Sequence, residues 1–114
     1  MSMMNGTLIG RIGNDPITRQ AGNSTVTEIQ VAYENRRSSN PQTEWVKVEA
    51  WNGLGTDVIA KYASKGDRIA VTFNRFRTEA YMTREGEAAA KLVLTAVDVE
   101  LLGDNRQESD EPEF

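Results

Sequence analysis

Cysteine and histidine are both absent from the sequence. Disulfides and thiol chemistry are thereby excluded, and zinc loses its usual donors along with the commonest general base. Any catalysis would fall to carboxylates, lysine, tyrosine or hydroxyls, and no carboxylate pair stands beside an obvious nucleophile or metal site. No cofactor and no metal are expected. Long apolar runs are missing too, and the N-terminus lacks the basic-then-apolar pattern of a signal peptide, so a cytoplasmic protein with no membrane partner is the default. At 114 residues the chain is long enough for one core and too short for two.

A basic excess is also lacking. The net charge of −4 argues at first sight against a partner whose phosphates need Lys and Arg to displace their counterions. The distribution matters more than the sum. From residue 104 onward Asp104, Glu108, Asp110, Glu111 and Glu113 stand against Arg106 alone, and the residues before them are balanced. A neutral domain, residues 1–103, therefore carries an acidic tail, residues 104–114.

What is present is concentrated in E-W-V-K-V-E-A-W, Glu44 to Trp51. Strand side chains alternate, so Val46, Val48 and Ala50 share one face while Trp45, Lys47, Glu49 and Trp51 share the other. The small aliphatic face is the natural core face. Both tryptophans of the protein then lie on the opposite side with a lysine between them. Aromatic plates flanking a cation suit a flat, anionic, stackable ligand, and single-stranded nucleic acid is one. Glu44 and Glu49 put negative charge beside that platform. The competing structural reading is that the rings plug a barrel end or an oligomer interface.

Residues 4–12 read as a strand with Leu8 and Ile12 on one face and Arg11 on the other, and Gly10 inside it marks a bend or a close backbone approach. Turn chemistry follows at Gly13 to Pro16 and again at Ala21 to Ser24. Thr25 to Tyr33 is the next strand, with Thr27, Ile29 and Val31 alternating against Glu28, Gln30 and Ala32. A polar loop carrying Arg36 and Arg37 leads into the tryptophan strand. Beyond it, Thr56 reads as a helix N-cap, Val58, Ile59, Tyr62 and Ala63 as its core face, and Lys65-Gly66 as its end. Arg68 to Tyr81 is a long strand whose apolar alternation slips at Phe76. A β-bulge near Phe73 or Asn74 restores it and turns Arg75, Arg77 and Tyr81 to the face opposite Phe76, where Arg75 and Arg77 meet either a ligand or Glu79 and Glu100 across strands. Thr83 to Glu87 is a hairpin tip carrying Arg84. The last strand, from about Ala89 to Leu102, places Val93, Val97, Val99 and Leu101 inward.

Three strands, one helix, two strands and a tail is the order of the OB-fold, a mainly β, five-stranded Greek-key barrel with its helix between the third and fourth strands. The outer face and loops of that barrel bind oligonucleotides or oligosaccharides.

L-I-G-R-I-G-N-D-P-I-T-R (Leu8 to Arg19), Q-T-E-W (Gln42 to Trp45), K-Y-A-S-K-G-D (Lys61 to Asp67) and V-E-L-L-G (Val99 to Gly103) together resemble the bacterial single-stranded DNA-binding proteins, and N-R-R-S-S-N is most similar to their cyanobacterial branch. The resemblance implies a sequence-independent, non-enzymatic binder of single-stranded DNA in replication, recombination and repair, homotetrameric or dimeric, working at the nucleoid. It implies stacking on Trp45, Trp51 and Tyr81, with phosphates met by Arg11, Lys47, Arg75, Arg77, Arg84 and the Arg36-Arg37 loop. Where many relatives stack a base on tryptophan at the end of the second strand, this chain has arginine. The resemblance further implies a C-terminal tip, here Asp110, Glu111, Pro112 and Phe114, that docks replication and repair proteins. Glu113 intrudes between the proline and the phenylalanine, and the long linker common in such proteins is missing.

Two other readings use the same residues. An OB-fold protein-interaction paralogue with weak DNA binding would work through its oligomer interface and tail, and an RNA-binding or primosome-type protein would use the same face.

Overall fold

The structure is a computed structural model that describes residues 2–34, 39 and 42–103. Arg36, Arg37 and the tail residues Asp110, Glu111, Pro112 and Phe114 lie outside the described residues. The strands are β1 (Gly6–Ile12), β2 (Ile17–Ala21), β3 (Ser24–Glu34), β4 (Thr43–Trp51), β5 (Arg68–Met82) and β6 (Ala88–Gly103). They form one sheet in the order β1-β5-β6-β4-β3-β2, and a further β1–β3 pairing closes it into a barrel. All pairs are antiparallel except β4 with β6. This is the OB-fold, with β2 as an additional strand. The short I-T-R-Q-A segment has no apolar alternation to announce it, because its inward contact is a hydroxyl pair, Thr18 with Thr27 at 2.8 Å. It pairs with β3 from Ile17↔Glu28 to Ala21↔Ser24.

Closure happens where β1 passes from β5 to β3. Gly6 to Arg11 pair with β5, while Arg11 and Ile12 also pair with Ala32 and Val31 of β3. A Cβ at Gly10 would run into the Ala32 carbonyl oxygen and come within 2.7 Å of Val31 Cγ1. Glycine is what permits the approach. Inside, Ile12, Ile29, Val31, Val48, Ile69 and Val71 form a single buried cluster, which Leu8, Val99 and Leu101 join from the side. These are residues that strand alternation turns inward.

The helix differs from its sequence reading. It runs from Leu54 to Tyr62, beginning as a π turn over Leu54–Ile59 and tightening to α1, Ala60–Tyr62. Its first backbone bonds run from Gly55 and Thr56 to the carbonyl of Asn52, at 3.0 and 2.9 Å, so Thr56 lies inside the segment rather than capping it. Asn52 takes the left-handed φ of 55°, which asparagine tolerates better than most residues. The wider turn changes the phase of the helical period. Ile59 and Ala63 still close the barrel, but Tyr62 points to solvent. Ala63 is already extended, so Gly66 belongs to the following turn and not to the helix end.

The slip in β5 is present, at Asn74, and β6 has its own at Val97: the register passes from Thr72↔Asp98 to Phe73↔Ala96 and then to Arg75↔Thr95. Val97 is accordingly half exposed instead of inward. Beyond this double irregularity Leu94 and Ala96 take the inward places. Val93, though fully buried, lies in register between Lys47 of β4 and Arg77 of β5. β6 pairs with β4 only from Leu92 to Thr95, so Glu79–Met82 and Ala88–Lys91 form a two-stranded arm that pairs only within itself.

Candidate nucleic-acid interface

Strand register assembles the outer face row by row, since residues directly opposite each other in a sheet share a face. One row runs Arg11, Ala32, Trp45; the next Gln30, Lys47, Val93, Arg77; the next Glu28, Glu49, Thr95, Arg75; the last Arg19, Val26, Trp51. Trp45 is 54% and Trp51 39% exposed, which is too open for rings that plug this barrel. The ring of Trp45 lies over Gly13, where a Cβ would collide with it. Gly13 thus gives the indole a flat backbone seat. Tyr81 and Trp45 line one shallow concavity of about 500 Å³, with Gln30, Glu44 and Lys91 also in its wall. Lys91 Nζ stands 5.8 Å from the centre of the Tyr81 ring, a cation–π distance.

Between the tryptophans the charges are tied to one another. Lys47 is only 12% exposed, and its Nζ lies 3.6 Å from Glu28, 3.7 Å from Glu49 and 3.7 Å from Glu79. Arg77 donates to both oxygens of Glu49, at 3.2 and 3.1 Å, and again to Glu79 at 2.8 Å. Arg19 closes the other end with two bonds to Glu28, at 2.9 and 2.7 Å. Glu49 itself is 2% exposed. It therefore does not project charge beside the platform, as its position in the strand predicts, but anchors the cations from below. The hydrogen bond from Arg77 holds the Glu79 carboxyl below the ordinary carboxylate range; burial opposes it, and the charges of Lys47, Arg77 and Lys91 add to the lowering. Glu49 and Glu79 in turn hold the Arg77 guanidinium in its charged form.

The sequence-predicted residues fall into three groups. Trp45, Trp51, Tyr81, Lys47, Arg75 and Arg77 share one outward face of β4, β5 and β6. Arg11 joins it at the margin and donates to the Gly66 carbonyl at 3.0 Å, while Arg84 sits apart in the exposed turn at the arm's tip. Of the face's cations, Arg75 and Lys91 make no ion pair among the described residues. The Arg77–Glu79 pairing that the sequence offers as the alternative to a ligand is present at 2.8 Å, while Glu100 lies opposite Ala70. Sequence reasoning missed Lys91, Arg19 and Glu28 as members of the face and Gly13 as the seat of Trp45. Lys91 was within reach, because the Thr83–Glu87 turn fixes Met82 opposite Ala88 and hence Glu79 opposite Lys91. Among the described residues no group of His, Cys, Asp or Glu is placed to hold a metal ion, and no helix is long and apolar enough to cross a membrane.

An OB barrel whose outer face presents aromatic rings interleaved with cations has the architecture of a single-strand nucleic-acid binder. The chain belongs to the single-strand binding protein family, whose model matches residues 3–102. That makes it a binding protein and not an enzyme. It is 30% identical over 105 residues to single-stranded DNA-binding protein 1 of Nostoc sp., covering 91% of this chain and 86% of the relative, and equally so to a single-stranded DNA-binding protein of Anabaena variabilis. Among solved structures its fold is similar to a mitochondrial single-stranded DNA binding protein of S. cerevisiae, with a TM-score of 0.69 at 21% identity over 91% of this chain and 99% of the other. It is likewise similar to Plasmodium falciparum SSB in complex with ssDNA, with a TM-score of 0.67 at 22% identity over 90% and 97%.

Proposed function

We propose that the protein binds single-stranded DNA without regard to sequence, laying the strand across the outer face of β4, β5 and β6. The observation that carries this is the pair of exposed rings, Trp45 and Tyr81, lining one concavity in a chain of the single-strand binding family. Bases stack on Trp45, Trp51 and Tyr81, each stack being worth about 1 to 3 kcal/mol. Phosphates are met first by the cations that lack a carboxylate partner among the described residues, Arg75, Lys91 and Arg84, with Arg11, Arg36 and Arg37 as further contacts. Lys47 and Arg77, held by glutamates, order the face. Titration with oligo-dT at low salt, read by tryptophan fluorescence, tests the reading: quenching that salt reverses is expected, and its absence overturns it. Running rU oligomers in parallel separates DNA from RNA preference.

The wider role is that of a replication, recombination and repair protein in the nucleoid, assembled as a homotetramer or dimer. In that role Asp110, Glu111, Pro112 and Phe114 dock partner proteins. Solution mass tests the assembly, and pull-down with and without residues 109–114 tests the tail. The charge-balanced ion-pair network on the face favours one second reading, an interaction module of the same family with weak DNA binding. A fully retained pull-down alongside a failed titration would identify it.

A further inference from the structure

Between Trp45 and Trp51 an ion-pair network sets Arg19, Lys47 and Arg77 against Glu28, Glu49 and Glu79 and sums to zero at neutral pH, with Arg75 outside it. The glutamates are not equivalent. Glu49 is buried and takes the two-pronged grip of Arg77. It fixes where the guanidinium sits. Glu28 is shared between Lys47 and Arg19 at the far side. Glu79 is one-third exposed, lies on the outward row of β5, and meets both Arg77 at 2.8 Å and Lys47 at 3.7 Å from the solvent side. A carboxylate with its two oxygens turned to two cations at an aromatic platform makes the contacts that a strand phosphate would make.

We propose that Glu79 is a built-in phosphate mimic that masks Arg77 and Lys47, and that it determines how strongly, and with what salt dependence, this face holds a nucleic-acid backbone. The inference rests on the single-strand-binding reading above and specifies the electrostatics of the same site. With Glu79 in place, a strand meets no net charge at this network and is held there mainly through its bases. Without it, Arg77 stays anchored by Glu49, and its outer N–H and the Lys47 ammonium turn to the incoming phosphate. Glu49 positions and Glu79 masks.

The experiment compares the full chain with Glu79→Gln and with Glu100→Gln in oligo-dT titrations across a salt series. Glu100 carries the same charge but lies opposite Ala70, in the row that continues to Ile9 of β1, away from the tryptophans. Glu79→Gln should steepen the slope of log affinity against log salt by about 0.7, the value for one added phosphate contact on a single strand, which is about an eightfold gain at about 50 mM salt that fades toward about 1 M. Glu100→Gln should follow the parent chain. Equal slopes for Glu79→Gln and the parent, or a gain shared by Glu100→Gln, would overturn the proposal while leaving single-strand binding intact. Failure of all three chains to bind at low salt overturns both readings. Binding regained by Glu79→Gln alone supports the mask in its strongest form. Thermal melting of each variant, with Glu79→Gln remaining folded, excludes a loss of structure as the cause of weaker binding.

Discussion

Arg77 holds the buried carboxylate of Glu49 in a two-pronged bond, Nη1 to Oε1 at 3.2 Å and Nη2 to Oε2 at 3.1 Å. Breaking one side of such a pair leaves a charge in a place water does not reach, which costs more than the pair itself contributes. Arg77→Leu should therefore destabilise the fold by about 2 kcal/mol, below the usual cost of breaking a fully buried pair, because Arg77 is itself partly exposed and Lys47 still neighbours Glu49. The double variant Arg77→Leu with Glu49→Leu should recover most of that loss in urea unfolding. A double variant as unstable as the sum of its parts would show that the two residues act independently.

Trp45 rests on Gly13 with more than half of its surface open. Trp45→Ala should lower oligo-dT affinity by about 1 to 3 kcal/mol with little change in melting temperature, read from quenching of the remaining Trp51. Gly13→Ala makes a sharper test. The added methyl displaces the indole from its seat, so affinity should fall and the emission of Trp45 should shift although no base-contacting group has been removed.

The carboxyl of Glu79 is held below the ordinary carboxylate range by Arg77. The stabilisation this pair provides is complete above the ordinary carboxylate value and is lost as pH falls through the depressed folded one. Carbon-detected titration of the side-chain carboxyls should find Glu79 still ionised where free glutamate is half protonated. In Arg77→Leu its midpoint should return upward toward the ordinary value. A midpoint indifferent to Arg77 would contradict the 2.8 Å contact.

The helical segment buries Ile59 and exposes Tyr62. Tyr62→Ser should leave stability within about 0.5 kcal/mol, whereas Ile59→Ala should cost about 2 to 5 kcal/mol, both measured by chemical denaturation.

Those last two residues show where the sequence was readable. Strand alternation carries its period in the chain itself, so the inward Val46, Val48 and Ala50 and the outward Trp45 and Trp51 could be assigned before any coordinates. The lost step near Asn74 could be assigned too, because Phe76 fell out of phase. Tyr62 could not: a single π turn shifts the helical phase by an amount that residue identity does not announce. Val97 escaped for a related reason. A bulge in β6 is invisible when the residues on both sides of it are aliphatic, since either phase reads as buried. At the site, residue types, rows and the same-strand pair of Arg77 with Glu79 were legible, but pairing between β4 and β5 was not. That Arg77 grips Glu49 and that Glu79 reaches Lys47 depends on which strands become neighbours, and the parallel β4–β6 contact joins residues far apart in the chain.

Trp45 stands on the closed barrel, whereas Tyr81 stands on the two-stranded arm that pairs only within itself. The two rings are therefore supported differently: one stands on a strand with neighbours on both sides, the other on a strand whose only neighbour there is its hairpin partner. A two-stranded hairpin gains little stability of its own, so the position of Tyr81 relative to Trp45 leans on side-chain contacts such as that of Glu79 with Lys47.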